Sequence, residues 1–133
     1  MAYFYPRSTY HPETVEQGLI EWFNYPESDP ELPMLFGARV VLSPGLGHNF
    51  HRHPGREELI FVIEGTIEQW VDQQCGILKP GDSVLIPAGC VHASFNLTSR
   101  DAVLVVVLSP VATGGPLTEE VAHEAPWSTL RNS

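Results

Sequence analysis

Basic residues are scarce in this sequence. Seven Lys and Arg stand against 16 Asp and Glu, a formal net charge of −9 with histidine neutral. A surface this acidic repels phosphate backbones and anionic bilayers, so neither a nucleic acid nor a membrane is an expected partner. Cysteine is scarce too: Cys75 and Cys90 make no disulfide framework. No stretch approaches the roughly 20 apolar residues of a membrane helix. The longest apolar run, Ala102 to Leu108, has the length of a buried strand. The first residues, Met1-Ala2-Tyr3-Phe4-Tyr5-Pro6-Arg7, lack a basic region followed by an apolar core. The expected setting is therefore cytoplasmic, with reduced thiols. Helical periodicity is missing before residue 117, and no internal repeat or low-complexity segment stands out.

What is present is a chain of 133 residues, enough for one domain with an apolar core. Residues 1–34 are rich in Pro, Glu and aromatics. Pro26, Pro30 and Pro33 forbid a long helix there, and 19–23 could form a short strand. This segment reads as an extended arm over the main body or over a partner subunit. From residue 35 to 110, short β-rich runs alternate with turn signals. The runs are 35–42, 48–53, 57–63, 66–72, 76–78, 83–86, 91–97 and 102–108. The turns include Pro44-Gly45, Pro54-Gly55, Glu64-Gly65, Pro80-Gly81 and Pro87-Ala88-Gly89. Many short strands at this spacing make an all-β sandwich or barrel. The tail, 111–133, is expected to pack on that body, with a turn of helix at 118–122 that Pro126 would end.

Four histidines fall within the strand-rich region: His48, His51, His53 and His92. Residues two apart on a strand share a face, so His51 and His53 point the same way and Arg52 opposes them. The next strand carries Glu58 on one face with Ile60 and Val62. If it folds back beside the first, Glu58 reaches both imidazoles. His92 arrives from a distant strand. Three imidazoles and a carboxylate form a donor set for Mn, Fe, Ni, Co or Zn. A bare His-x-His is more often a pair of surface histidines, so the surroundings decide.

From Gly45 to Gly65 the sequence reads G-x5-H-x-H-x4-E-x6-G. From Gly81 to Asn96 it reads G-x5-P-x-G-x2-H-x3-N. These segments resemble the paired signature motifs of the cupin superfamily. Fifteen residues, 66–80, separate them, as in small single-domain members. The resemblance implies a double-stranded β-helix, or jelly-roll, barrel of about six to nine strands. It also implies one divalent metal ion inside, on His51, His53, Glu58 and His92. Family spacing would also admit Glu57. Glu58 is preferred because six residues separate it from Gly65 and it shares parity with Ile60 and Val62. Ligation needs neutral imidazoles, so metal should be lost as pH falls below roughly 6.

A two-residue hairpin at Glu64-Gly65 would set Glu58 opposite Val71, Ile60 opposite Gln69 and Val62 opposite Ile67. Gln69, Ile60 and Val62 would then face a small-molecule ligand. Cys90 shares parity with His92 and is a further candidate, although a packed thiol is the commoner fate of such a residue. Phe50, of opposite parity to His51, belongs in a core or an interface. His48 is expected near the mouth or on the surface. Apolar residues on opposite strand faces, Leu59, Phe61 and Ile63 among them, call for a second layer and favour a homodimer. The leading functional expectation is a small metal-dependent, dioxygenase-like oxidoreductase acting on a small oxygenated organic molecule. The alternatives are a non-catalytic ligand-binding module, and an isomerase or lyase on a sugar acid. The last needs a general acid or base, and the expected pocket holds no spare carboxylate or lysine.

Overall fold

A computed structural model describes residues 4–24 and 34–131. Eleven strands form two antiparallel sheets that face one another. After a single 3-10 turn at Arg7–Thr9 come β1 (His11–Val15), β2 (Gly18–Trp22), β3 (Phe36–Leu42), β4 (Gly47–Arg52), β5 (Glu57–Glu64) and β6 (Ile67–Val71). There follow β7 (Gln74–Leu78), β8 (Ser83–Ile86), β9 (His92–Asn96), β10 (Ala102–Ser109), β11 (Glu119–Glu120) and a last helical turn, α1 (Trp127–Leu130). The six-stranded sheet runs β1-β2-β3-β10-β5-β8, and the five-stranded sheet runs β11-β4-β9-β6-β7. This is the all-β jelly roll that the sequence predicts.

The strand pattern follows from side-chain period. Along β5, Glu58, Ile60 and Val62 are buried while Glu57, Leu59, Phe61 and Ile63 are exposed. This strict alternation marks a strand with one face on the interior. Strand β9 is buried at every position: His92, Ser94 and Asn96 face the barrel, and Ala93 and Phe95 face outward under a second layer. The main core lies between the sheets. Phe36, Leu42, Ile60, Val62, Ile67, Ile86, Leu104 and Leu108 fill it. A smaller cluster of Phe50, Val91, Ala93, Phe95 and Val121 lies on the outer face of the five-stranded sheet.

Two glycines are needed for this wiring. At Gly65 the chain passes from one sheet to the other with φ of +80°, and a Cβ would press on Ala102 at about 3 Å. At Gly47 a Cβ would come within 2.3 Å of the Ser94 carbonyl oxygen, so only glycine lets β4 lie this close to β9.

Three expectations need correction. The Glu64-Gly65 turn does not make a β5–β6 hairpin. Both hydrogen-bonding edges of β5 are occupied, by β10 and β8, so β6 joins the other sheet. There Ile67 pairs with Asn96, Gln69 with Ser94 and Val71 with His92. Likewise β5 does not lie beside β4. The edges of β4 are taken by β9 and β11, and Glu58 meets the imidazoles from across the barrel. Thirdly, 118–122 is not a helical turn. Glu119 pairs with Arg52 and Glu120 with His51, adding an edge strand, while α1 begins after Pro126 instead of ending there. Proline suits the start of a helix because its missing N–H would be unpaired there in any case.

The segment read as an arm is built into the barrel. β1 and β2 form a hairpin whose second strand pairs with β3, from Gly18–Leu42 to Trp22–Ala38. The predicted strand at 19–23 is thus nearly β2, and β1 has no counterpart among the expected strands. Pro26, Pro30 and Pro33 lie outside the described residues.

Candidate metal centre

Three strand ends and one barrel-crossing side chain converge in the interior. His51 is the last but one residue of β4, His53 lies just past its end, His92 opens β9 directly opposite His51, and Glu58 comes from β5. Each is buried, none more than 7 % exposed. Their ligand atoms all lie within 4.8 Å of one another. The alternative carboxylate, Glu57, points outward and is exposed.

The imidazoles are fixed from behind. His51 Nδ1 lies 2.7 Å from the Asn49 carbonyl oxygen, His53 Nδ1 2.8 Å from that of Leu117, and His92 Nδ1 3.0 Å from that of Cys90. A carbonyl oxygen can only accept, so each Nδ1 carries the proton and donates. Each Nε2 is turned inward and, in the neutral imidazole, offers its lone pair there. Such carbonyl contacts are the usual outer support of a metal-binding histidine.

Donors facing donors need something between them. His92 Nε2 and Glu58 Oε1 are 2.8 Å apart without the geometry of a hydrogen bond, and among the described residues the only other polar group near Glu58 Oε1 is His53 Nε2 at 3.5 Å. Unpartnered polar atoms this deeply buried are uncommon and costly. A divalent cation satisfies both, and the donor set of three imidazoles and a carboxylate suits a first-row transition metal. The residues present therefore fit such an ion.

The electrostatics agree. Burial drives the His51 pKa well below its ordinary value, with His48, His92 and His53 adding to the effect. Burial also pulls His53 down, but the adjacent Glu58 carboxylate, 3.5 Å away, outweighs it and leaves that pKa raised. For Glu58, burial acts to raise the pKa. The close approach of the His53 and His92 imidazoles wins and holds the carboxylate ionised, its pKa well below the usual range.

The cluster opens on a cavity of about 570 Å³. Of the residues expected to touch a ligand, Ile60 lines it. Val62, Gln69 and Cys90 are not among its lining residues. Val62 is fully buried in the core. Gln69 faces inward but is committed: its Oε1 accepts from Ser94 Oγ at 2.6 Å, and its Nε2 donates to the Trp70 carbonyl oxygen. Cys90 packs against the core, and burial raises its thiol pKa. The expected register had placed Gln69 beside β5; pairing with β9 removes it to the other sheet.

Sequence reasoning missed several wall residues. Glu13, Glu16 and Trp22 come from the β1–β2 hairpin, and Thr118 and Glu120 from the tail. The pocket thus has spare carboxylates, contrary to expectation. Glu120 Oε1 lies 2.9 Å from Nε2 of His48, whose ring stacks on His51 at 3.5 Å between centroids. No local motif marks these residues, because long-range pairing alone brings them here.

A family model described as a cupin domain matches residues 38–108. The chain belongs to the cupin family. This cupin is 32 % identical over 91 residues to polyketide synthase CurC of Streptomyces cyaneus, covering 68 % of the chain and 58 % of that protein. It is 35 % identical over 77 residues to a germin-like protein of Morus alba, covering 54 % of the chain and 37 % of the relative. It therefore spans only about a third to three fifths of these relatives' lengths. Among solved structures it resembles KdgF from a Halomonas species with a TM-score of 0.69, at 21 % identity, over 83 % of this chain and 94 % of that one. At that identity the likeness concerns the fold.

Proposed function

We propose that this cupin holds one divalent transition metal on His51, His53, Glu58 and His92 and acts on a small oxygenated organic molecule in dioxygenase-like oxidoreductase chemistry. The observation that carries this reading is the inward convergence of four buried donors, two of them unpartnered, at the end of a cavity of ligand size. In octahedral geometry four protein ligands leave two positions open, and the ion would supply Lewis acidity to an oxygen donor placed there. Mn, Fe, Ni, Co and Zn all suit the donors.

The chain's own residues do the rest. Asn49, Leu117 and Cys90 carbonyls hold the imidazole protons on Nδ1 and keep each Nε2 turned to the centre. Glu58 supplies one negative charge. Ile60, Leu104, Val106 and Leu108 make a dry wall on which the body of a ligand would lie. The similarity to a polyketide synthase component adds weight to a carbonyl-rich organic ligand.

The test begins with untagged protein, elemental analysis and oxygen uptake over a panel of flavonols and enolisable diketones. We expect about one equivalent of metal per chain and uptake with at least one compound. Glu58→Gln should weaken the metal by about 100-fold or more, since even outer-shell changes cost 10–100-fold. A metal-free protein that binds none of these ions tightly would sink the reading.

We further propose a homodimer that pairs through the outer face of the six-stranded sheet. There Leu59, Phe61, Ile63 and Leu85 are each between 38 % and 61 % exposed. A contiguous apolar face of this kind is uncommon on a monomer.

A further inference from the structure

Resting on the metal-centre reading, we propose that this cavity selects ligands whose only anionic group is the one that meets the metal: catechols, enolisable diketones and related molecules with an apolar body. Molecules that carry a further carboxylate away from the metal-binding oxygens, sugar acids included, are rejected.

The placement of every Lys and Arg side chain supports this. The chain has seven basic side chains: Arg7, Arg39, Arg52, Arg56, Lys79, Arg100 and Arg131. None lines the cavity. Five are committed elsewhere. Arg7 and Arg39 pair with Glu21 at 3.7 Å and 2.8 Å, Arg52 with Glu119 at 2.9 Å and Arg131 with Glu68 at 2.6 Å. Arg56 donates to the Pro110, Val111 and Pro116 carbonyls. The residues outside the described ranges contain no Lys or Arg at all. A second anionic group on a ligand would find no Lys or Arg in the cavity wall to receive it.

The wall is negative instead. The solvent-exposed carboxylates of Glu13, Glu16 and Glu120 line the cavity where it meets water, Glu120 with its Oε1 2.9 Å from His48 Nε2. The Glu13 carboxylate accepts from Trp22 Nε1 at 3.1 Å, and both residues line the cavity. These groups sit in a molecule whose net charge is already −9. Burying an unpaired carboxylate beside such a wall costs both desolvation and repulsion. The remaining surface, from Trp22, Val40, Leu42, Ile60, Leu104 and Val106, is apolar and favours a flat hydrocarbon body.

A matched pair of ligands tests the idea. 4-Methylcatechol and 3,4-dihydroxybenzoate share the chelating oxygens and differ by one carboxylate. Their binding to the Mn-loaded full chain is measured by calorimetry at low and high salt, with metal content assayed in parallel. We expect 4-methylcatechol to bind at least about tenfold more tightly, with the gap shrinking as salt screens the wall. The double variant Glu13→Gln, Glu16→Gln should narrow the gap about threefold with metal content unchanged. Equal or tighter binding of the carboxylate, or no binding of either ligand to loaded protein, overturns the proposal. Failure of the wild-type protein to load metal would overturn the underlying metal-centre reading instead, and the assay separates the two.

Discussion

The two sheets of this cupin solve the same problem differently. Each has an apolar outer face. On the five-stranded sheet, Phe50, Ala93 and Phe95 are sealed by the chain's own tail, through Val121, Ala122, Trp127 and Leu130. Arg131 lies over the Phe95 ring at 3.5 Å and completes the cover. On the six-stranded sheet, Leu59, Phe61, Ile63 and Leu85 have no such cover among the described residues. The sealed sheet also carries the three imidazoles, and the tail that seals it reaches inward to hold them. The Leu117 carbonyl accepts from His53, Glu119 binds Arg52, and Glu120 meets His48. Metal centre and outer cover are thus one assembly, whereas the bare sheet contributes a single donor, Glu58.

The sharpest way to break this comparison is to remove one aromatic ring from each outer face. Phe50 is 1 % exposed and packs edge-on against Trp70 and Phe95. Phe50→Ala should cost about 3–5 kcal/mol, the usual range for a buried aromatic cavity. Chemical denaturation reads it directly. A loss below about 1 kcal/mol would mean that the tail does not stabilise the sheet it covers. Because the same tail supports His53, this variant should also bind metal less tightly.

Protons probe the sealed sheet more gently. His51 is held neutral by burial, so acid scarcely competes for it. His53 is the opposite case, because Glu58 raises its pKa and a proton competes with metal there at a higher pH than on an ordinary histidine. Metal affinity should therefore begin to fall above pH 6.5, as pH drops, by about tenfold per pH unit for that one proton. This loss starts higher than the sequence alone suggests. Calorimetry in buffers of different ionisation enthalpy counts the released proton. Affinity that is flat from pH 8 to pH 5.5 would contradict the assignment of His53.

Much of this was legible in advance, and the reason is local. Alternation along β5 and the turn glycines are properties of a few neighbouring residues, so strands and the inward parity of Glu58 could be read directly. His51, His53 and His92 were legible because fixed motif spacing ties them to one centre. Sheet partnership was not legible. Whether β6 lies beside β5 or β9 depends on which edges remain open after β10 and β8 have docked, and no residue near Gly65 encodes that. The same limit hid the cavity wall. Glu13 and Trp22 reach the site only because β2 pairs with β3, and Glu120 only because β11 pairs with β4. The tail failed for a different reason: 118–122 has helix-compatible residues, but edge pairing with β4 overrides so short a local preference.

The smallest effect on chain stability is expected on the bare sheet, where it says most about assembly. Phe61 is 38 % exposed, between Val105 on one side and Ser83 on the other. Replacing it by serine removes little buried area from the single chain. Surface changes of this kind usually stay within about 0.5 kcal/mol. If two copies meet through this face, however, each loses an aromatic anchor from the middle of the interface, where a few residues dominate association. Phe61→Ser should then leave the denaturation midpoint measured at high dilution almost unchanged while halving the solution mass seen by light scattering. A solution mass that stays at two chains would place the dimer contact elsewhere. A wild-type protein that is already monomeric would leave Leu59, Phe61, Ile63 and Leu85 as an apolar face that this fold keeps in water, and the contrast between the two sheets would then be one of exposure alone.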